Sequence, residues 1–82
     1  MQQIKEKETL NTFTAMKKTF DVMFNDSSDS NSKGWSESYE YCLDYIKNYN
    51  GTNESYFADY KGGTVSIVCN ETGEDVYDEE IK

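Results

Sequence analysis

Between Trp35 and Tyr49 the apolar residues Trp35, Tyr39, Cys42, Leu43 and Ile46 recur at helical spacing and fall on one stripe. Glu37, Glu40 and Asp44 occupy the opposite side. The spacing predicts an amphipathic helix over 35–49, with Ser36 as N-cap, Glu37 in the first turn and Asn50-Gly51 as the stop. The period then changes to two. In Thr64–Cys69, TVSIVC, residues Val65, Ile67 and Cys69 alternate with their neighbours, Asn70-Glu71-Thr72-Gly73 reads as a turn, and Glu74–Ile81 returns as the second strand of a hairpin. Gly62-Gly63 marks where the hairpin starts.

The rest of the chain is less regular. Leu10, Phe13, Met16, Phe20 and Met23 fit a helical stripe, whereas Phe20, Val22 and Phe24 alternate as a strand does. A strand over Lys18–Asn25 is the favoured assignment, because a hairpin alone makes a marginal sheet. Residues 1–15 are then a short helix or an N-terminal arm, and 16–82 a single domain. Asn25–Gly34, NDSSDSNSKG, has no apolar residue and reads as a solvated loop. Ser55–Tyr60, SYFADY, fits either a short strand or a single turn, with a strand or an extended connection the favoured reading.

These elements give an α+β fold: a small antiparallel sheet, built from the N-terminal strand and the C-terminal hairpin, with one amphipathic helix packed on one face. Phe20, Val22, Phe24, Tyr39, Cys42, Leu43, Ile46, Val65, Ile67 and Cys69 form its expected core.

Charge changes the picture more than size does. The 82 residues hold 16 Asp and Glu against 8 Lys, with no Arg and no His. Over residues 1–18, Lys5, Lys7, Lys17 and Lys18 outweigh Glu6 and Glu8 by two, so residues 19–82 carry −10 of a total −8. Such a surface repels phosphate backbones and anionic membranes, and favours basic grooves. No apolar run reaches the ~20 residues that span a bilayer, and MQQIKEKETLNTF lacks a signal peptide's hydrophobic stretch, so a cytoplasmic location is expected. Cys42 and Cys69 are then read as buried free thiols. The N-x-S/T sequons at Asn25, Asn50, Asn53 and Asn70 reflect a composition rich in Asn, Ser and Thr.

Catalytic chemistry has little to draw on. The usual general base and the usual oxyanion clamp are missing with His and Arg, the two thiols lack a partner base, and Gly62-Gly63 lacks phosphate-loop spacing. No enzyme activity and no cofactor are expected. A calcium loop starting at Asp29 would place Asn31 at position 3, Gly34 at position 6 and Glu40 at position 12, but Lys33 stands where an oxygen ligand belongs and Ser36 where an apolar residue does. A plain polar connection is the favoured reading.

The candidate contact residues are therefore carboxylates and tyrosines. Glu37, Glu40 and Asp44 form one acidic set; Glu74, Asp75, Asp78, Glu79 and Glu80, with Glu71, form the other. Glu40 and Asp44 are like charges at i,i+4, an arrangement that costs a helix about 0.2–0.5 kcal/mol. Spaced carboxylates can imitate the charge of DNA, although acidic surfaces also serve solubility alone. Tyr41 and Tyr45 flank the stripe beside these acids, a composition common at interfaces, although covering a thin core is the favoured reading of the two rings. The expected function is a non-enzymatic acidic domain that binds a basic protein surface, including as a DNA mimic of a nucleic-acid-binding protein's ligand. The alternatives are a calcium-responsive module using Asp29, Asn31 and Glu40, or an interaction subunit that works through exposed tyrosines.

In its acidity, its Lys-only basic set and the pattern TVSIVCNETGEDVY, the chain resembles small acidic accessory proteins of phages and conjugative elements from low-GC Gram-positive bacteria. Some proteins of that kind are inhibitors that occupy nucleic-acid sites and many have no assigned role, so the resemblance carries over no functional residue.

Overall fold

The computed structural model describes residues 18–82. Strand β1 spans Phe20–Asn25, β2 Ser30–Ser32, helix α1 Tyr39–Tyr49, β3 Thr64–Cys69 and β4 Asp75–Glu80, with a 3₁₀ turn at Ser55–Phe57 before β3. The strands form one antiparallel sheet in the order β2-β1-β3-β4, and α1 packs against the central strands β1 and β3. The α+β architecture expected from the periodicity is the one observed. The reading of residues 1–15 as a short helix or arm lies outside the described residues.

Register explains the core. Pairing Val22 with Ile67, Phe24 with Val65 and Phe20 with Cys69 sets the alternating apolar positions of both central strands on the helix-facing side. Val22, Phe24, Val65 and Ile67 are completely enclosed there, with Cys42 and Ile46 from α1 above them. Phe20, Tyr39 and Leu43 pack at the margin of this core. In β4, Tyr77 opposes Ile67 and Glu79 opposes Val65, so these two side chains also face the helix, whereas Asp78 and Glu80 turn away from it. The turn between β3 and β4 places Gly73 at φ +77°, a left-handed conformation that glycine adopts without a Cβ penalty.

Three expectations are corrected. The helix begins at Tyr39, not near Trp35, because Glu37 is held to β1 by paired backbone bonds: Phe20 N–H to Glu37 O at 2.7 Å and Glu37 N–H to Phe20 O at 3.0 Å. A residue held in a ladder cannot also be helical, so Ser38 rather than Ser36 is the N-cap, its Oγ accepting from Tyr41 N–H at 3.0 Å. At the other end the helix stops at Asn50-Gly51, as expected, with Asn50 N–H bonded to Ile46 O.

The second correction concerns Asn25–Gly34, which is exposed as expected but contains β2. Ser30–Ser32 pairs with Met23–Asn25, and further along Lys33 N–H reaches Val22 O and Trp35 N–H reaches Asp21 Oδ1. Residues 30–37 are thus an interrupted edge strand along the whole of β1. A polar sequence suffices because an edge strand needs backbone partners more than buried side chains.

The third is Ser55–Tyr60, where the favoured strand gives way to the alternative of a turn, with a 3₁₀ turn over Ser55–Phe57. This turn drives Phe57 and Tyr60 into the core, where Phe57 meets Phe24 edge-on at 4.9 Å and Tyr60 stacks on it at 6.3 Å. Neither ring was expected in the core, nor was the buried Ile81.

Candidate aromatic and acidic interface

Helix α1 has two different flanks. On one side Lys47 reaches β4, where its Nζ lies 2.9 Å from Glu79 Oε1 and 5.4 Å from the Tyr77 ring centre. Glu79 also accepts hydrogen bonds from the Tyr77 hydroxyl and from Asn50 Nδ2, the latter at 2.7 Å. Partial desolvation works to raise its pKa, but these donors and the Lys47 charge overcome it and hold the carboxyl down at about 2. Hydrogen bonding and the nearby carboxylate raise the Lys47 pKa in turn. The Asn50 amide completes the junction, donating to Glu80 O at 2.8 Å and accepting from Lys82 N–H at 2.9 Å. Glu79 therefore fastens β4 to the helix.

The opposite flank is aromatic. Tyr41, Tyr45 and Tyr49 follow one another at i,i+4 spacing, a single ridge on the helix. Trp35, left outside the helix by the edge strand, meets Tyr41 at 5.3 Å and Tyr45 at 4.8 Å, both edge-on. Tyr45 continues the series to Tyr49 at 5.2 Å and to Phe57 at 5.6 Å. The middle of this ladder is seated on the core, while its ends are open: Tyr41 is 50% exposed and Tyr49 41%. Lys33 lies over it, with Nζ 5.4 Å from the Trp35 ring centre and 5.5 Å from that of Tyr45, while donating to Ser55 Oγ at 2.9 Å.

Asp44 and Asn48 form the next row outward. Together with Tyr41, Tyr45 and Tyr49 they line a shallow recess of ≈ 260 Å³. The Tyr45 hydroxyl is buried and, among the described residues, has no hydrogen-bond partner at bonding geometry. Burial raises its pKa, offset in part by the neighbouring Ser55 hydroxyl. A larger recess of ≈ 470 Å³ opens between Asn25–Ser27 and Lys61–Thr64. Its one carboxylate, Asp26, is spent on a local turn, accepting from Ser28 N–H and Asp29 N–H at 2.9 Å each. Its pKa is lowered by these bonds, that from Ser28 foremost.

The predicted site residues are thus divided between layers. Glu40, Asp44 and Tyr41 are exposed on the outer side of the helix, and Tyr45 is half-buried beside them. Glu37 is exposed but belongs to the edge strand before the helix. Glu74 is in the hairpin turn, and Asp75, Asp78 and Glu80 line the sheet face turned away from α1. The helix set and the tail set therefore do not merge into one charged array. Trp35 and Tyr49, absent from the predicted contact residues, belong to the aromatic ladder; the i,i+4 run of tyrosines was the available signal for Tyr49.

Tyr60 OH donates to Asp29 Oδ2 at 2.9 Å and accepts from Asn31 Nδ2 at 2.9 Å, and Asn31 lies in β2, not in a coordinating loop. Among the described residues no group of three or more His, Cys, Asp or Glu is placed to hold a metal ion. Cys42 and Cys69 are free and buried. Burial, then the charges of Asp21 and Glu37, push the Cys42 thiol up to about 11. Among the described residues no helix is long and apolar enough to cross a membrane. Comparison of the chain with protein-family models, curated proteins and solved structures returns no significant match.

Proposed function

We propose that this chain is a non-enzymatic binding protein that offers the outer, tyrosine-lined and acidic face of α1 to a basic protein surface. The observation that carries the reading is the ladder Trp35, Tyr41, Tyr45, Tyr49 bordered by Asp44, with both ends of the ladder exposed. Rigid aromatic area beside hydrogen-bonding groups is what interface centres use, since the rings supply contact area at low entropic cost. The surrounding −10 charge on residues 19–82 supplies attraction toward a cationic partner. A nucleic-acid-binding protein is the partner class that best matches this charge, with the helix face standing in for a phosphate row and the aromatic ladder supplying the grip. Asp75, Asp78 and Glu80, on the other face of the sheet, serve a separate purpose, charging an exposed edge strand against association.

Affinity capture from a cell extract tests this, comparing the natural chain with a helix variant in which Glu40 and Asp44 are both changed to Lys, and with a sheet variant in which Asp75, Asp78 and Glu80 are all changed to Lys. The expected result is a salt-sensitive basic partner, displaced by DNA, that the helix variant loses and the sheet variant keeps. Retention by the helix variant refutes the reading.

A further inference from the structure

We propose that the recess between the Tyr41-Tyr45-Tyr49 ridge and the Asp44-Asn48 row receives the guanidinium of an arginine side chain carried by the basic partner. The proposal rests on the reading above and specifies what its central contact recognises.

The recess lies between two i,i+4 rows of one helix, the kind of groove into which a side chain from a second surface inserts. Its two walls have different chemistry. One is a row of tyrosine rings, whose electron-rich faces attract cations. The other supplies a carboxylate, Asp44, and a side-chain amide, Asn48, both acceptors for N–H donors and both exposed. A planar guanidinium satisfies both walls at once, stacking on a ring while its forked donors meet the carboxylate. An ammonium is a compact, strongly hydrated point charge that gives up more water to enter. Charge complementarity favours the same occupant, because Asp44 lies within a strongly anionic domain whose own Lys47 is turned to the opposite flank and paired with Glu79.

An independent feature of the ladder supports cation recognition. The Lys33 ammonium already lies over the Trp35 and Tyr45 rings at 5.4 and 5.5 Å, so this aromatic series accommodates a cation within the chain itself. Lys33 comes from the edge strand and does not line the recess, which leaves the recess to an incoming group.

The test uses N-acetyl-arginine methylamide, its neutral citrulline counterpart and its lysine counterpart, each titrated into the isotopically labelled full chain and followed by NMR. The arginine probe is expected to shift Asp44, Asn48 and the ring signals of Tyr41, Tyr45 and Tyr49 saturably. Asp44→Asn and Tyr49→Ala, both at exposed positions, should each weaken it by about fivefold, in line with an exposed cation–π or charge contact. Citrulline should not shift the recess, and lysine should bind more weakly. Equal shifts from citrulline or lysine, or arginine shifts of the same size at Glu71, Asp75 and Asp78, overturn the proposal. If the helix residues still govern capture of the basic partner while arginine shows no localised shift, the recess alone is refuted and the wider reading stands. If capture ignores the helix residues, the wider reading fails, and the recess assignment fails with it.

Discussion

Tyr45→Phe should stabilise this protein. The Tyr45 hydroxyl is inaccessible to solvent and makes no hydrogen bond among the described residues, so folding takes it out of water without a replacement partner there. An unsatisfied buried polar group costs about 1–3 kcal/mol, and the nearby Ser55 hydroxyl is already engaged in accepting from Lys33. Removing the oxygen leaves the ring where it is, against Trp35 at 4.8 Å, Tyr49 at 5.2 Å and Phe57 at 5.6 Å. A net gain of about 1 kcal/mol is expected, equivalent to a rise in Tm of roughly 4–8 °C for a domain of this size. Thermal and urea denaturation followed by circular dichroism measure it, and an unchanged urea slope would show that the native and denatured states are otherwise alike. The pH dependence adds a second readout. Because the folded pKa of Tyr45 is raised, its contribution is fully present below the unfolded tyrosine value near 10 and is lost as pH rises through the folded one. The advantage of the Phe variant should therefore widen above about pH 10. A Tm equal to or below that of the natural chain would show that the hydroxyl is bonded in solution. Repeating the comparison in a Ser55→Ala background would identify the partner, since the effect of Tyr45→Phe changes there only if Ser55 is bonded to it.

Other substitutions probe separate parts of the fold. Glu79→Gln should cost about 1.5–3 kcal/mol by removing a carboxylate that accepts from Lys47, Asn50 and Tyr77, whereas Glu80→Gln should stay within about 0.5 kcal/mol. With the folded Glu79 pKa lowered to about 2, its contribution is present above the ordinary carboxylate range and lost as pH falls toward 2, so the natural chain and Glu79→Gln should converge in acid denaturation curves. Gly63→Ala should be strongly destabilising in urea titration, because the added Cβ would lie 2.3 Å from the Asn25 carbonyl oxygen in the backbone of β1. Gly73→Ala meets open space and should cost only the roughly 1–2 kcal/mol of a left-handed alanine. Cys42 should resist a disulfide reagent at pH 8 except through opening of the fold, and the stability its neutral thiol contributes should fall as pH rises from about 9 through about 11. Labelling as fast as that of an exposed thiol would contradict its enclosure.

Local patterning was enough for the sheet's central strands and for most of the helix. Val22 and Phe24, Val65 and Ile67, and Cys42 and Ile46 announce themselves by period two or by helical spacing, because one buried face imposes its period on the sequence. Gly73 and Asn50-Gly51 mark their stops because few residues suit those backbone conformations. Backbone demands made at a distance were not legible. Trp35 continues the helical stripe perfectly well, and only the pairing of Glu37 with Phe20 keeps it out of the helix and turns its ring toward Tyr41 and Tyr45. Ser30–Ser32 looks like loop because an edge strand can be wholly polar, and the turn that buries Phe57 and Tyr60 is not evident locally because the ring contacts with Phe24 that favour it join residues far apart in sequence. The acidic residues follow the same division. Composition alone established their number and sign, but the tertiary structure decided that Glu79 is spent on Lys47, that Asp78 and Glu80 face away from the helix, and that Asp44 stands beside three tyrosines. A carboxylate's role depends on which charges and rings the fold brings within a few ångströms of it, and no local pattern in the chain encodes that.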